Sequence, residues 1–167
     1  MSYQRPLIPE VQSNLGYAIP SAVSPEDVVA FPGRIIRLGK TITQVSGPAV
    51  DASRHIAKII LTVLQYNIRY RSVMNIAYSP TIIECCRALG FRVGEFSRKE
   101  EPLDIKELEG STLEWATERV LSSGGGEMPD MIYDRGDVGK EPMTRVLGTD
   151  PIDVAEKIIK IAKEMNW

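Results

Sequence analysis

GPAVDASRHIAKIILTVLQYNIRYRSVMNI, Gly47–Ile76, reads as a long helix followed almost at once by a strand, and that succession decides the fold class. Gly47-Pro48 opens the helical stretch, which ends near Gln65. Within it Ala52, Ile56, Ile59, Ile60, Val63 and Leu64 recur at helical spacing and make one apolar face. Gly47, Asp51 and Ser53 can each cap it. Ser72–Ile76 then reads as a short strand. Its Asn75 is unusual there, because a buried amide must find a partner, either a substrate or the protein itself.

The same alternation continues in both directions. Upstream, Leu15–Pro20 reads as a first strand and Ser24-Pro25-Glu26-Asp27 as the capped start of a short helix, broken by Pro32-Gly33. Arg34–Leu38 and Thr41–Val45, joined by Gly39-Lys40, form a hairpin pattern. Downstream, Ser79-Pro80 starts a helix that Gly90 stops, and Phe91–Phe96 is a strand. Ser111-Thr112-Leu113-Glu114 matches a capping box for a helix to about Ser122, ended by Gly124-Gly125-Gly126. Asp130–Asp134 and Arg145–Leu147 read as strands, and a last helix begins at Asp150-Pro151. Interleaved helices and strands with an early hairpin predict a layered α/β domain with a mixed sheet.

The 167 residues suit one domain, residues 1–167, and the 43% hydrophobic and 25% charged content is that of a globular chain. No apolar run approaches the ~20 residues that cross a bilayer. Met1–Pro9 lacks the basic and apolar blocks of a signal peptide. A cytoplasmic protein with no membrane partner is expected. Net charge is −2 with no basic stripe, which argues against nucleic acid as a partner. Cys85 and Cys86 are adjacent and read as small apolar residues of a helix. His55 is the one histidine, which excludes a multi-histidine metal site.

The richest polar segment is Tyr133-Asp134-Arg135-Gly136-Asp137-Val138-Gly139-Lys140-Glu141-Pro142. Its carboxylates are suited to Mg²⁺ and its cations to phosphate oxygens, but a salt-bridged surface turn fits the pattern equally well. Arg34, after Pro32-Gly33, is shaped for bidentate phosphate contact, although an exposed strand-end charge is the commoner case. His55 and Ser53 fall in or near the first turn of the long helix, where backbone amides attract anions; a surface histidine is the plainer alternative. Gly110-Ser111-Thr112 is a weaker anion site because Glu114 competes for that helix end. The run Arg98-Lys99-Glu100-Glu101 mixes signs and reads as a solvated loop. Residue pattern alone points to an anion site and to no reaction.

Several segments together resemble the ThiN family, which comprises thiamine-phosphate synthases and ligand-sensing domains of archaeal regulators. They are Leu7-Ile8-Pro9-Glu10-Val11 with Ser13-Asn14, Pro32-Gly33-Arg34-Ile35, Ala52-Ser53-Arg54-His55, Arg71–Ile76, Arg98–Pro102, Gly110–Leu113 and, most distinctive, Ile132–Pro142. The resemblance implies a three-layer α/β/α fold with a mixed sheet, of the aldolase/epimerase (AraD)-like class, and a homodimer. It also implies condensation of hydroxymethylpyrimidine diphosphate with hydroxyethylthiazole phosphate, with Mg²⁺, to thiamine phosphate and pyrophosphate. Relatives often carry a kinase or helix-turn-helix domain ahead of this pattern; here it starts near Met1, and neither is expected. Arg34 and His55 match the pair that enzymatic members use and sensors lack, so a synthase is favoured over a non-catalytic thiamine-phosphate sensor. Glu114 departs from the proline that many relatives carry. The expected roles are leaving-group contact for Arg34 and His55, substrate binding for Ser53, Asn75, Arg135, Gly136 and Lys140, and Mg²⁺ ligation for Asp134 and Asp137.

Overall fold

A computed structural model describes residues 5–102, 104–105 and 112–166. The described residues form nine strands: β1 (Leu15–Ala18), β2 (Val28–Ala30), β3 (Ile35–Leu38), β4 (Thr41–Gln44), β5 (Ala49–Val50), β6 (Ser72–Ala77), β7 (Val93–Glu95), β8 (Met131–Asp134) and β9 (Met143–Gly148). The principal helices are α1 (Arg54–Tyr66), α2 (Pro80–Ala88), α3 (Thr112–Ser123) and α4 (Pro151–Glu164). Seven strands make one sheet in the order β5-β2-β1-β6-β9-β8-β7, and β3–β4 is a separate hairpin. Only the β7–β8 pair is parallel, so the sheet is mixed.

Strand alternation sorts the core into two faces. Val73, Leu147 and Ile132 point to one face, where they pack with Ile56, Ile59, Ile60 and Val63 of α1 and Leu113, Ala116 and Val120 of α3. Met74, Ile76, Val146 and Met131 point to the other, against Ile82 and Cys86 of α2 and Val154, Ile158 and Ile161 of α4. The hairpin adds Ile35 and Ile42 to this second cluster. Helices therefore cover both sides of the sheet, giving the α/β/α layering. Both thiols sit on α2 and are free; burial pushes that of Cys86 up to about 12.

Two helix starts differ from the sequence pattern. Pro25–Asp27 is a single 3-10 turn, because the Asp27 carboxylate accepts the backbone N–H groups of Val23 and Ser24 and ties the turn off. Val28–Ala30 then extends to pair with β1 and β5. Likewise Ala49–Val50 is an edge strand rather than the first turn of α1. Asp51 reverses the chain with φ +51°, and Ser53 caps α1 by accepting from the Ile56 N–H at 3.4 Å. The capping box expected at Ser111 lies outside the described residues; the Glu114 carboxylate accepts from Lys58 Nζ of α1 at 3.4 Å.

Candidate active site

On the face covered by α1 and α3, three central strands change character toward the same end, β8 one step later than β6 and β9. Two residues beyond Val73, Leu147 and Ile132 stand Asn75, Arg145 and Asp134, polar side chains where the apolar pattern would continue. The register sets Asn75 opposite Arg145, and Arg145 opposite Ile132. The N-terminus of α1, with Ser53 and His55, lies beside this step. The result is a cavity of about 430 Å³ whose lining includes Arg34, His55, Arg98, Lys140 and Arg145. That size suits a small-molecule site.

Its floor is an ion cluster. Asp134 is fully buried; its Oδ1 accepts from Arg98 Nε at 2.7 Å and from the Gly136 N–H at 2.9 Å. Its Oδ2 accepts from Arg145 Nη1 at 2.7 Å and Arg98 Nη2 at 3.4 Å. Both guanidiniums also lie over the Phe96 ring, 5.8 and 5.5 Å from its centroid. Burial works against the charge of Arg145, as does the like charge of Arg98, while Asp134 supports it. An arginine stays protonated in such surroundings, so the cluster keeps one positive charge beyond its carboxylate.

The wall comes from residues 10–14. Asn75 Oδ1 accepts from the Asn14 N–H at 2.7 Å and its Nδ2 donates to the Gln12 carbonyl at 3.0 Å, which answers the question its strand position posed. Glu141 accepts the N–H groups of Glu10 and Val11 at 2.8 and 3.1 Å, and Arg34 donates to the Val11 carbonyl. Gln12 and Arg34 both adopt left-handed backbone, at φ +67° and +69°. Such conformations cost of order 1–3 kcal/mol each and gather where surrounding structure holds a side chain for use. Arg34 and Lys140 are exposed at the mouth.

The Tyr133–Pro142 segment divides. Lys140 and Glu141 line the cavity, and Gly136 supports them: at φ +74°, a Cβ there would meet the Lys140 carbonyl oxygen at 2.5 Å. Strand alternation turns Arg135 the other way, where it donates to Glu95 at 2.8 Å beside the stacked Tyr78–Tyr133 pair. Arg135 and Gly136 do not line the cavity. Asp137 is exposed in the turn, accepting the Val138 N–H at 2.8 Å.

These positions do not fit a metal held by the chain. Both Asp134 oxygens are spent on arginines, Asp137 is outside the cavity, and no group of three or more His, Cys, Asp or Glu among the described residues could hold an ion. Among the lining residues the sole carboxylate is Glu141, already engaged by two amides. Residue pattern gives Arg98 and Arg145 no site role and counts Glu141 only among the carboxylates suited to Mg²⁺, whereas all three line the cavity. The Arg98–Glu101 run is not a solvated loop: Arg98 and Glu101 are buried and only Lys99 and Glu100 face solvent.

His55 opens to solvent through the mouth, yet cavity walls and positive neighbours act on it. Partial burial, then Arg145, Arg98, Arg34 and Lys58, pull its pKa down to about 4. Its open side limits the share due to burial, but the cations act in the same direction, so the imidazole is neutral at neutral pH and offers an N–H rather than an imidazolium. The unfolded chain, titrating at the ordinary 6.5, binds the extra proton as pH falls from there toward 4, so His55 lowers stability across that window. As the one histidine, it gives an unambiguous NMR signal. The free protein should titrate well below the ordinary value, and saturating pyrophosphate should move the midpoint upward by neutralising the cations. An unchanged midpoint with pyrophosphate bound would place the anion elsewhere.

Known proteins point the same way. The family model for "Thiamine-phosphate synthase ThiN" matches residues 1–160. The thiamine-phosphate synthase ThiN of Methanothermobacter thermautotrophicus is 38% identical over 158 residues, covering 95% of this chain and 83% of that protein. The bifunctional thiamine biosynthesis protein ThiDN of Methanocaldococcus jannaschii is 44% identical over 162 residues; they cover 96% of this chain but 37% of that longer protein. A crystal structure of the C-terminal domain of a phosphomethylpyrimidine kinase superposes with a TM-score of 0.87 at 41% identity, covering 93% of this chain and 87% of that one. An aldolase II superfamily protein from Pseudomonas syringae, 10% identical with a TM-score of 0.51 over 98% of this chain and 70% of that one, shares the fold alone.

Proposed function

This chain belongs to the ThiN family of thiamine-phosphate synthases, and on that premise we propose that its cation-lined cavity condenses hydroxymethylpyrimidine diphosphate with hydroxyethylthiazole phosphate. The observation that carries this reading is the cavity itself. Four permanent cations and a neutral histidine line it, in a chain of net charge −2, as two phosphorylated substrates require. The aldolase/epimerase-like class belongs to the same proposal, supported by the distant fold likeness.

The thiazole nitrogen attacks with its own lone pair and needs no general base. Its bond to the pyrimidine methylene carbon forms as the carbon–oxygen bond to the diphosphate breaks, leaving a thiazolium and pyrophosphate. The barrier lies in that departure, as negative charge gathers on the leaving oxygens. Fixed cations in a partly water-excluded cavity stabilise it without reorganising. Arg34 at the mouth and the His55 N–H would contact the leaving group, and Lys140 a phosphate nearby. Ser53 positions His55 by capping α1, and Asn75 positions the wall that Arg34 grips. Any Mg²⁺ would be held by the diphosphate's oxygens, since the described residues supply no cage for it.

The test is a synthase assay with both substrates and Mg²⁺, following pyrophosphate and thiamine phosphate together. Binding of thiamine phosphate with no turnover would mark a sensor instead. A homodimer is part of the proposal, supported by exposed Leu38 and Val45 near the hairpin and Val50 on the edge strand. A sedimentation mass of a single 18.6 kDa chain would refute the dimer.

A further inference from the structure

The synthase reading leaves the floor of the cavity without a role, and the following rests on that reading. We propose that Arg98 and Arg145, held together on Asp134, form a phosphate-monoester subsite that binds the thiazole substrate's phosphate, separate from Arg34 and Lys140 at the mouth.

Arg98 is 9% exposed and Arg145 3%, yet both line the cavity. Two guanidiniums on one carboxylate leave a buried positive charge with no counter-charge in the cluster. Structure alone would be better served by one arginine, because an unbalanced buried charge is costly. An anion entering the cavity supplies the missing charge. The geometry is also ready for it. Three hydrogen bonds to Asp134, itself fixed by the Gly136 N–H, and the Phe96 ring beneath hold the two planar groups in place, so little side-chain freedom is lost on binding.

The reaction needs two anion sites of different character. Pyrophosphate must leave, and the exposed Arg34 and Lys140 lie on its way to solvent. The thiazole's phosphate is carried unchanged into the product, so it is the group for which a rigid, buried contact is useful. Holding it fixes the ring nitrogen relative to the methylene carbon.

The discriminating variant is Arg98→Met. It leaves a matched Arg145–Asp134 pair, so no buried charge is stranded. Losing one charge-assisted contact corresponds to a roughly 30-fold weakening. We expect KM for hydroxyethylthiazole phosphate to rise by about that factor, with KM for the pyrimidine diphosphate within about threefold of the parent. In the unmodified protein, inorganic phosphate should compete with the thiazole substrate and not with the diphosphate. An Arg98→Met effect confined to the diphosphate, equal on both substrates or absent would overturn the assignment, as would phosphate competing with the diphosphate. Should Arg98→Met not fold, the competition pattern in the unmodified protein decides alone. If the unmodified protein shows no turnover, the synthase reading fails rather than the subsite. Calorimetry with inorganic phosphate on the parent and Arg98→Met then decides the subsite, and equal affinity, or no binding, sinks it.

Discussion

Arg34→Ala should lower turnover by ~10²-fold or more, the usual cost of removing one well-placed electrostatic donor from a developing charge, while leaving the fold almost intact. The side chain is exposed, and its bond within the protein is the one it donates to the Val11 carbonyl. Losing that bond costs about 1 kcal/mol, or roughly 2–4 °C in melting temperature for a chain of this size. The backbone at Arg34 is already left-handed, so alanine inherits a conformation that the hairpin entry imposes. Steady-state rates measured beside a thermal melt separate the two effects. Full activity in Arg34→Ala would remove it from the chemistry, and a collapse of the melt would make its role structural.

Asp134→Ala should do the reverse of this and act first on stability. It leaves Arg98 and Arg145 facing each other, buried, with no carboxylate between them. Breaking a buried ion cluster from this side costs about 3–5 kcal/mol, because desolvation is retained and the attraction is lost. For a chain of this length that is a fall of roughly 10 °C or more in melting temperature. The same change frees the Gly136 N–H and loosens the loop that carries Lys140. A melt within a degree or two of the parent would show that water or a shifted side chain already balances those charges.

The elements with strong local signals were legible without coordinates. Proline after a Ser or Asp cap announced α2 and α4, and the Gly39-Lys40 turn announced the β3–β4 hairpin, since each is set by residues a few positions apart. Signals failed where a distant partner overrode them. Val28–Ala30 and Ala49–Val50 are strands because they pair with each other, and neither segment carries that information alone. In the site, Arg34, Ser53, His55, Asn75 and Lys140 were identified, and all line one cavity. Arg98 was read as a solvated charge because its neighbours Lys99 and Glu100 are, and a one-dimensional charge run does not show which member turns inward.

Composition, periodicity and family motifs by themselves determined a layered α/β domain and the helices that cover its sheet, and singled out Arg34 and His55, which line one cavity. Only the tertiary structure decided what Asp134 does. A carboxylate beside glycines and basic residues reads as a metal ligand, but strand register brings Arg145 to one of its oxygens and the turn after β7 brings Arg98 to the other. Whether a buried charge meets an ion, a substrate or a side chain depends on residues 11 and 36 positions away, and only the folded sheet with the turn that follows β7 brings them together.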